Sequence, residues 1–377
     1  MIIEVIGIGS PNKGAELMLM SIQQKILSKY PDAKFVVEPS TEFLSRSNNN
    51  VYQKFWFTLR GYQLGGVGFL IPRKLREKFG IILDSEIDII LDASGFAYGD
   101  QWGSKKLKNR VTKYLPKWNK SGKKIIFLPQ AFGPFEQAGF KTELQKIDKY
   151  AELIFARDKS SFNYLDKFIS KNKNILRLSS DYTNLCLGKL PSNLLDRTLD
   201  VCFIPNAKMI EMNQNKTLES YANSFANMIN FTIKQGRIPF LLLHEGKKDL
   251  DLALLINRLL DKPVDLLEYS DPLEIKGIIG KSNIVVSSRF HGLVSGLSQS
   301  KPCIATGWSH KYEMLMTDYE CEEFLVDEES SVALEKLEKL FDENVYSTVQ
   351  EKISKNSIIE KQKSESMWTQ VFNEIDS

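Results

Sequence analysis

Short runs of apolar, often β-branched residues recur along the chain, each followed by a polar or glycine-rich turn and then by an amphipathic stretch. Residues 2–8, 35–37, 87–91, 124–128 and 153–156 are apolar runs too short for helices and read as buried strands, with one more strand near Leu176. Helical spacing fills 15–28, 106–122 (ended by Gly122) and 160–169. Periodicity then fades over 190–196, which holds Pro191 and Ser192, and the alternation starts again. Strands are expected at 199–204, 239–243, 264–267, 283–286 and 303–305, and helices at 218–235, 249–260, 271–279 and 293–299. From Leu334 onward the chain reads as helical and charged. Strands alternating with helices imply parallel sheets joined by right-handed crossovers. The expected class is α/β, with two Rossmann-like domains over 1–192 and 193–345 and a helical segment over 346–377.

Composition adds limits. A chain of 377 residues can bury two cores, and 42% hydrophobic with 26% charged residues suits a soluble globular protein. A net charge of +3 is too small to point to nucleic acid. Cys186, Cys202, Cys303 and Cys321 are widely spaced without a CxxC pair, as expected of reduced core residues in a cytoplasmic protein. Residues 1–6 lack the basic start and cleavage site of a signal peptide and read as a strand. No apolar run approaches a membrane span. Residues 52–79 alter the picture, because Phe55, Trp56, Phe57, Tyr62 and Phe69 stand among Lys54, Arg60, Arg73, Lys74, Arg76 and Lys78, with Glu77 the only acid. Two readings are open: a pair of helices whose aromatic stripe faces the core, or a surface in peripheral contact with the inner face of an anionic membrane or with a lipid-linked substrate.

Candidate chemistry concentrates after the strand at 283–286, in Ser287-Ser288-Arg289-Phe290-His291-Gly292. This run lies at the carboxyl end of a strand and beside a helix start, where open α/β sheets bind ligands and where free N–H groups favour anions. Lys311 follows Trp308-Ser309-His310. A guanidinium, an imidazole and an ammonium near one helix start suit a phosphate or a carboxylate, the plainer alternative being a solvated loop. Of the three histidines, His244, His291 and His310, His291 is the best acid–base candidate. Near the N-terminus, Gly7-Ile8-Gly9-Ser10-Pro11-Asn12-Lys13-Gly14 joins a strand to a helix but matches neither Walker A nor G-x-G-x-x-G. It reads either as a generic phosphate loop or as a tight turn. The segment from Asp92 through Gly95 to Asp100 also follows a strand, and its small residues let backbone approach a ligand. Asp249-Leu250-Asp251 forms a D-x-D triplet, read as first-turn acids that complement a helix dipole in preference to a metal site. No metal is expected, for want of H-x-x-H or E-x-x-H, and no G-x-S-x-G elbow suggests a serine hydrolase.

Taken together, these residues resemble the polysaccharide pyruvyl transferases. Asn12-Lys13-Gly14-Ala15-Glu16 is similar to the family's N-x-G-[AD]-E element, and residues 87–95 to its strand and glycine loop, with Ser94 where a second glycine is usual. Leu128-Pro129-Gln130 through Gly133-Pro134 and Ala156-Arg157-Asp158 through Ser161 match as well. The most specific match is Ser287-x-Arg289-x-His291, followed by Gly296, Lys301-Pro302 and Lys311, with Phe290 where the family usually has leucine.

The resemblance implies a GT-B-like arrangement with the active site in the interdomain cleft. It implies transfer of the enolpyruvyl group of phosphoenolpyruvate onto a sugar of a polysaccharide or its precursor, as a pyruvate ketal, with release of phosphate. Arg289 and His291 carry over as the catalytic and donor-binding pair, with Ser288, Phe290, Gly292 and Lys311 around the donor. Asn12, Gly14, Glu16, Asp92, Gly95 and Asp100 fall to the acceptor side, and Asp92, Asp100 and Glu16 are candidates to take a hydroxyl proton. No cofactor is implied beyond phosphoenolpyruvate as donor substrate. The alternative is a GT-B glycosyltransferase using a nucleotide sugar, which would want a ribose-binding Glu one turn into the helix; none lies between Gly292 and Ser300, and Glu313 is the nearest. A binding protein that keeps the fold without catalysis is a third reading, against which the Arg289/His291 pair argues.

Overall fold

Apolar runs in the N-terminal part do form a parallel sheet, and its strand order locates the first ligand-competent edge. The structure, a computed structural model, describes residues 1–377 other than 10–11, 60–61, 64, 172–173, 212–216, 308 and 327–329. Ser10, Pro11, Arg60, Trp308 and the Tyr62 side chain therefore lie outside what is described. The strands in chain order are β1 Ile2–Ile6, β2 Lys34–Val37, β3 Tyr52–Lys54, β4 Thr58–Leu59, β5 Tyr62–Gln63, β6 Ile81–Ile82, β7 Ile89–Asp92, β8 Lys124–Gln130, β9 Leu153–Ala156, β10 Leu176–Leu178, β11 Val201–Ile204, β12 Pro239–Leu242, β13 Leu266–Leu267, β14 Ile284–Ser287 and β15 Cys303–Ala305.

The chain divides into two compact units, Met1–Ser10, Met18–Asp181 and Ser364–Ser377 in the first, Pro11–Leu17 and Tyr182–Lys363 in the second. In the first, eight parallel strands run in the order β10-β9-β8-β7-β1-β2-β3-β6, with β4 and β5 paired antiparallel beside them. Helical side chains Leu107, Val111, Trp118, Phe140, Leu144 and Ile147 pack on Ile90, Ile125, Phe127 and Ile154 of the sheet. Each such large side chain stabilises the fold by roughly 1.5–3 kcal/mol. Successive strands proceed outward from β1 on one side, then resume at β7 on its other side, so the loops after β1 and β7 leave at a topological switch point. Gly7 closes that point: at φ +86°, a Cβ there would stand 2.4 Å from the Ser94 backbone.

The second unit repeats the plan with five parallel strands in the order β13-β12-β11-β14-β15. Every residue of Val201–Ile204 and of Ile284–Ser287 is fully buried, as strands covered on both faces require. The helix Leu218–Lys234 starts at Thr217, whose hydroxyl accepts from the Ser220 N–H at 3.0 Å, and it buries Tyr221, Phe225 and Ile229 at four-residue spacing. The switch point here lies between β11 and β14. The C-terminal chain is helical, over Ser330–Phe341 and Glu343–Asp376.

Two local expectations give way. Residues 106–122 do not form one helix: Ser104–Leu107 runs into a π turn at Lys108–Thr112, and a new helix opens at Leu115–Lys120. Pro116 sits in the first turn of that last helix, where its missing N–H costs nothing, and it could not have continued the preceding one. Nor is 52–79 a pair of helices. It contains β3 to β5, a 3-10 turn over Gly65–Leu70 and a six-residue helix Arg73–Lys78, with Trp56, Phe57 and Phe69 exposed. All four cysteines are buried and none forms a disulfide. Among the described residues, no helix is long and apolar enough to cross a membrane.

His244 follows β12 and is buried at the edge of the second unit's switch point. Burial, then the charge of Arg289 and of His291, pushes its imidazole down to about 3. The unfolded chain takes up a proton near 6.5 while the native state stays neutral, so stability is intact above about pH 6.5 and is lost as pH falls toward 3. Chemical denaturation is expected to lose about 2 kcal/mol through this group between pH 6.5 and pH 5, and His244→Gln should flatten that slope. An unchanged slope in the variant would place its source elsewhere.

Candidate active site

The carboxyl end of β14 is held by its own serines. The Ser287 hydroxyl accepts from the Arg289 N–H and donates to the Arg289 carbonyl, both at 3.0 Å. The Ser288 carbonyl accepts from Asn206 Nδ2 and from the Tyr312 hydroxyl, each at 2.9 Å. Asn206 follows β11, so this bond ties together the two loops of the switch point. The Ser288 hydroxyl is fully buried between Tyr221, at 2.6 Å, and Thr306, so this residue steadies the loop from the core side. Arg289 is thereby delivered to the N-cap position of the helix Phe290–Leu297, which starts three residues before the apolar periodicity suggests. Gly292 is required one turn in: a Cβ there would come 2.6 Å from Ser287 Oγ and 3.1 Å from Ile204.

Arg289 is only 8% exposed, and its guanidinium is compensated by two carboxylates. Nη1 donates to Glu245 and Nη2 to Asp249, while Nε has no hydrogen-bond partner among the described residues. Burial lowers Arg289 to about 10, which leaves it cationic at neutral pH. Burial also pushes Asp249 up to about 7, against the opposing pull of the Ala207 N–H, 3.0 Å away, and of the Lys208 ammonium. These groups line a pocket of about 280 Å³ with Ala207, Gly246, Lys247, Lys248 and Glu211. Lys208 reaches Glu245 at 3.3 Å.

His291 is half-buried and meets the N-terminal element. A Cβ on Gly14 would fall 2.4 Å from His291 Nδ1, so only glycine allows the helix start to lie against the imidazole. Asn12 Oδ1 accepts from the Ala15 N–H at 3.1 Å as an N-cap does, and Lys13 pairs with the buried Glu16 at 2.8 Å. The Lys311 ammonium stands 5.5 Å from the Phe290 ring centre and 5.3 Å from that of Tyr312, and Phe290 meets the His291 ring edge-on at 5.6 Å. Arg289, Phe290, His291, Gly292, Lys311 and Gly14 are thus brought to one end of the second unit's sheet.

Asn12, Gly14 and Glu16 fall in a different unit from Asp92, Gly95 and Asp100. Residues Pro11–Leu17 belong by contact to the second unit, because the absent side chain of Gly14 lets the chain pack on His291. Asp92, Gly95 and Asp100 belong to the first. There Asp92 is buried and accepts from the Tyr98 hydroxyl at 2.6 Å, the Ser94 N–H at 3.0 Å and Gln130 Nε2 at 3.2 Å; burial raises its pKa. Asp100 accepts the N–H groups of Glu136 and Gln137 at 2.9 and 3.0 Å and clamps that loop. Gly95 makes its turn at φ +69°.

Glu245, Asp249 and Lys208 are the site residues that sequence reasoning missed. Asp249 was visible only as half of a D-x-D triplet, and the two carboxylates part: Asp249 is buried on Arg289, Asp251 is exposed. The available signal was position, since Glu245 and Asp249 follow the strand β12, but that strand's neighbours are not written in its residues.

The two-unit parallel architecture recurs in solved structures of GT-B fold. A UDP-GlcNAc 2-epimerase from Neisseria meningitidis, bound to UDP-GlcNAc, superposes with a TM-score of 0.62 at 12% identity, over 99% of each chain. The Methanocaldococcus jannaschii UDP-GlcNAc 2-epimerase gives 0.58 at 12%, covering 91% of this chain and 93% of that one. A glycosyltransferase from Rickettsia africae gives 0.55 at 11%, covering 99% and 98%. At such identities the likeness is one of fold. The family model for polysaccharide pyruvyl transferase matches residues 12–310, which spans both the Asn12–Glu16 element and the Arg289/His291 loop. The chain therefore belongs to the polysaccharide pyruvyl transferase family.

Proposed function

We propose that the protein transfers the enolpyruvyl group of phosphoenolpyruvate to a sugar of a polysaccharide or its precursor, forming a pyruvate ketal and releasing phosphate. The observation that carries this reading is the pairing of Arg289 and His291 at one helix start, with Gly14 against the imidazole and Lys311 beside Phe290. Phosphoenolpyruvate brings a phosphate and a carboxylate, and Arg289 and Lys311 offer matching charge near the start of the helix Phe290–Leu297. No metal is needed for this chemistry, and consumption of phosphoenolpyruvate suits a cytoplasmic reaction.

His291 acts as the acid. Its proton forms the new C–H bond at the enol methylene, and the neighbouring carbon becomes an oxocarbenium-like centre. A first sugar hydroxyl adds there. The bond from that carbon to the phosphate oxygen then breaks, phosphate leaves with the electron pair, and a second hydroxyl closes the ketal. Two hydroxyl protons are released, one replacing that lost by His291 and the other leaving with phosphate. A positioned acid contributes ~10²–10⁴-fold. Glu245 and Asp249 hold the Arg289 guanidinium before the donor arrives, so an incoming anion competes with them.

A ligand that binds only the native state raises stability by about 2.7 kcal/mol at a hundredfold excess over Kd. Phosphoenolpyruvate is expected to raise the melting temperature of the wild type and not of Arg289→Ala, and a panel of UDP-sugars to leave it unchanged. A shift with UDP-sugars alone would move the protein to the glycosyltransferases. With an acceptor in hand, His291→Ala should lower turnover by roughly 10²–10⁴-fold while phosphoenolpyruvate still binds, and undiminished turnover would remove the acid role. In Asp249→Asn the shift induced by phosphoenolpyruvate is expected to exceed that of wild type. An equal or smaller shift would mean that Asp249 aims the guanidinium instead of competing for it.

A further inference from the structure

Phe69, Leu70, Leu75 and Phe79 follow closely on one another in the first unit and are open to solvent: these side chains are 71%, 70%, 45% and 66% exposed. The backbone around them is anchored so that they point outward. Gly68 lies against Phe55 and Leu83, each 2.6 Å from where its Cβ would be, which leaves the following Phe69 and Leu70 on the outside. The helix Arg73–Lys78 is fixed from within by Arg76, which is buried, pairs with Glu86 and donates from Nε to the Ile71 carbonyl at 3.3 Å. With Arg76 inward, Leu75 and Phe79 form one stripe at four-residue spacing, and the exposed Lys74 and Lys78 form a second beside it. Arg73 and Glu77 pair at 2.9 Å and cancel, so the two lysines set the charge of the face.

Four large exposed apolar side chains in so short a segment exceed what scattered surface residues explain. A second copy of the chain is the poorer occupant, because a contact over this face would cover Lys74 and Lys78 while the one acid of the helix, Glu77, is already paired with Arg73. Apolar side chains that enter an acyl boundary while lysines stay among headgroups are the signature of an interfacial segment. We propose that this face seats the protein on an anionic lipid surface, with Phe69, Leu70, Leu75 and Phe79 inserted and Lys74 and Lys78 against phosphate headgroups. The inference stands apart from the transfer reaction and needs none of its residues.

Sedimentation with vesicles tests it. The full chain is expected to pellet with vesicles of phosphatidylcholine and phosphatidylglycerol, to be released as ionic strength rises, and to stay in solution with phosphatidylcholine alone. Phe69→Ser with Leu70→Ser should abolish binding, and Lys74→Glu with Lys78→Glu should weaken it by roughly tenfold or more. All four side chains are exposed, so both variants should keep the wild-type melting temperature. Failure of the wild type to pellet with anionic vesicles would overturn the proposal, as would wild-type binding by either variant. If the Phe69/Leu70 variant instead converts a dimer into a monomer, the face joins copies of this chain and the lipid assignment falls.

Discussion

A guanidinium more than nine-tenths buried has to be compensated, and much of the second unit's polar architecture follows from that demand. Glu245 and Asp249 supply the charge, yet each must first be positioned. Asp249 is set by the Ala207 N–H and by its place in the first turn of the helix Lys247–Leu259. Arg289 itself is set by Ser287, and the loop behind it by Asn206, Tyr221, Thr306 and Tyr312 acting on Ser288. Ser287, Asn206, Tyr221, Thr306 and Tyr312 therefore act together to hold one side chain at the helix start. Breaking a buried ion pair on one side costs roughly 3–5 kcal/mol, so the cluster is expected to be rigid.

Much of this was legible in the residues, for physical reasons that can be named. Val201–Ile204 and Ile284–Ser287 are buried on both faces, so their apolar runs stand out without any partner being known. Arg289 and His291 lie directly after such a run, and the switch-point rule then marks them as candidates for a site. The helix beginning at Phe290 was harder to see. Its first turn contains His291 and Gly292, and apolar periodicity becomes clear only at Leu293, so the boundary moves by three residues and with it the N-cap role of Arg289.

Other features were illegible because they depend on pairing between distant segments. Glu245 and Asp249 become partners of Arg289 only through the order β12-β11-β14, which places three strand ends side by side. The π turn at Lys108–Thr112 interrupts a stretch whose apolar spacing reads as one helix. Residues 52–79 misled in another way: the aromatic positions suggest a stripe directed at a core, but Gly68 and Arg76 take the inward positions and turn Phe69 and Leu70 outward.

Glycine at position 14 shows how a short motif can act at a distance. The element Asn12–Glu16 is 277 residues from His291 in sequence by its Gly14, yet the two approach so closely that any side chain would strike the ring. An alanine there would demand that the imidazole move, which would alter its direction relative to Arg289 two residues earlier on the same helix start. Under the proposed reaction, the direction of that ring decides whether its proton reaches the enol carbon. The glycine of the first element and the histidine of the last are then parts of one acid, assembled by packing: Asn12 caps the helix that brings Gly14 in, and Ser287 caps the turn that brings His291 out.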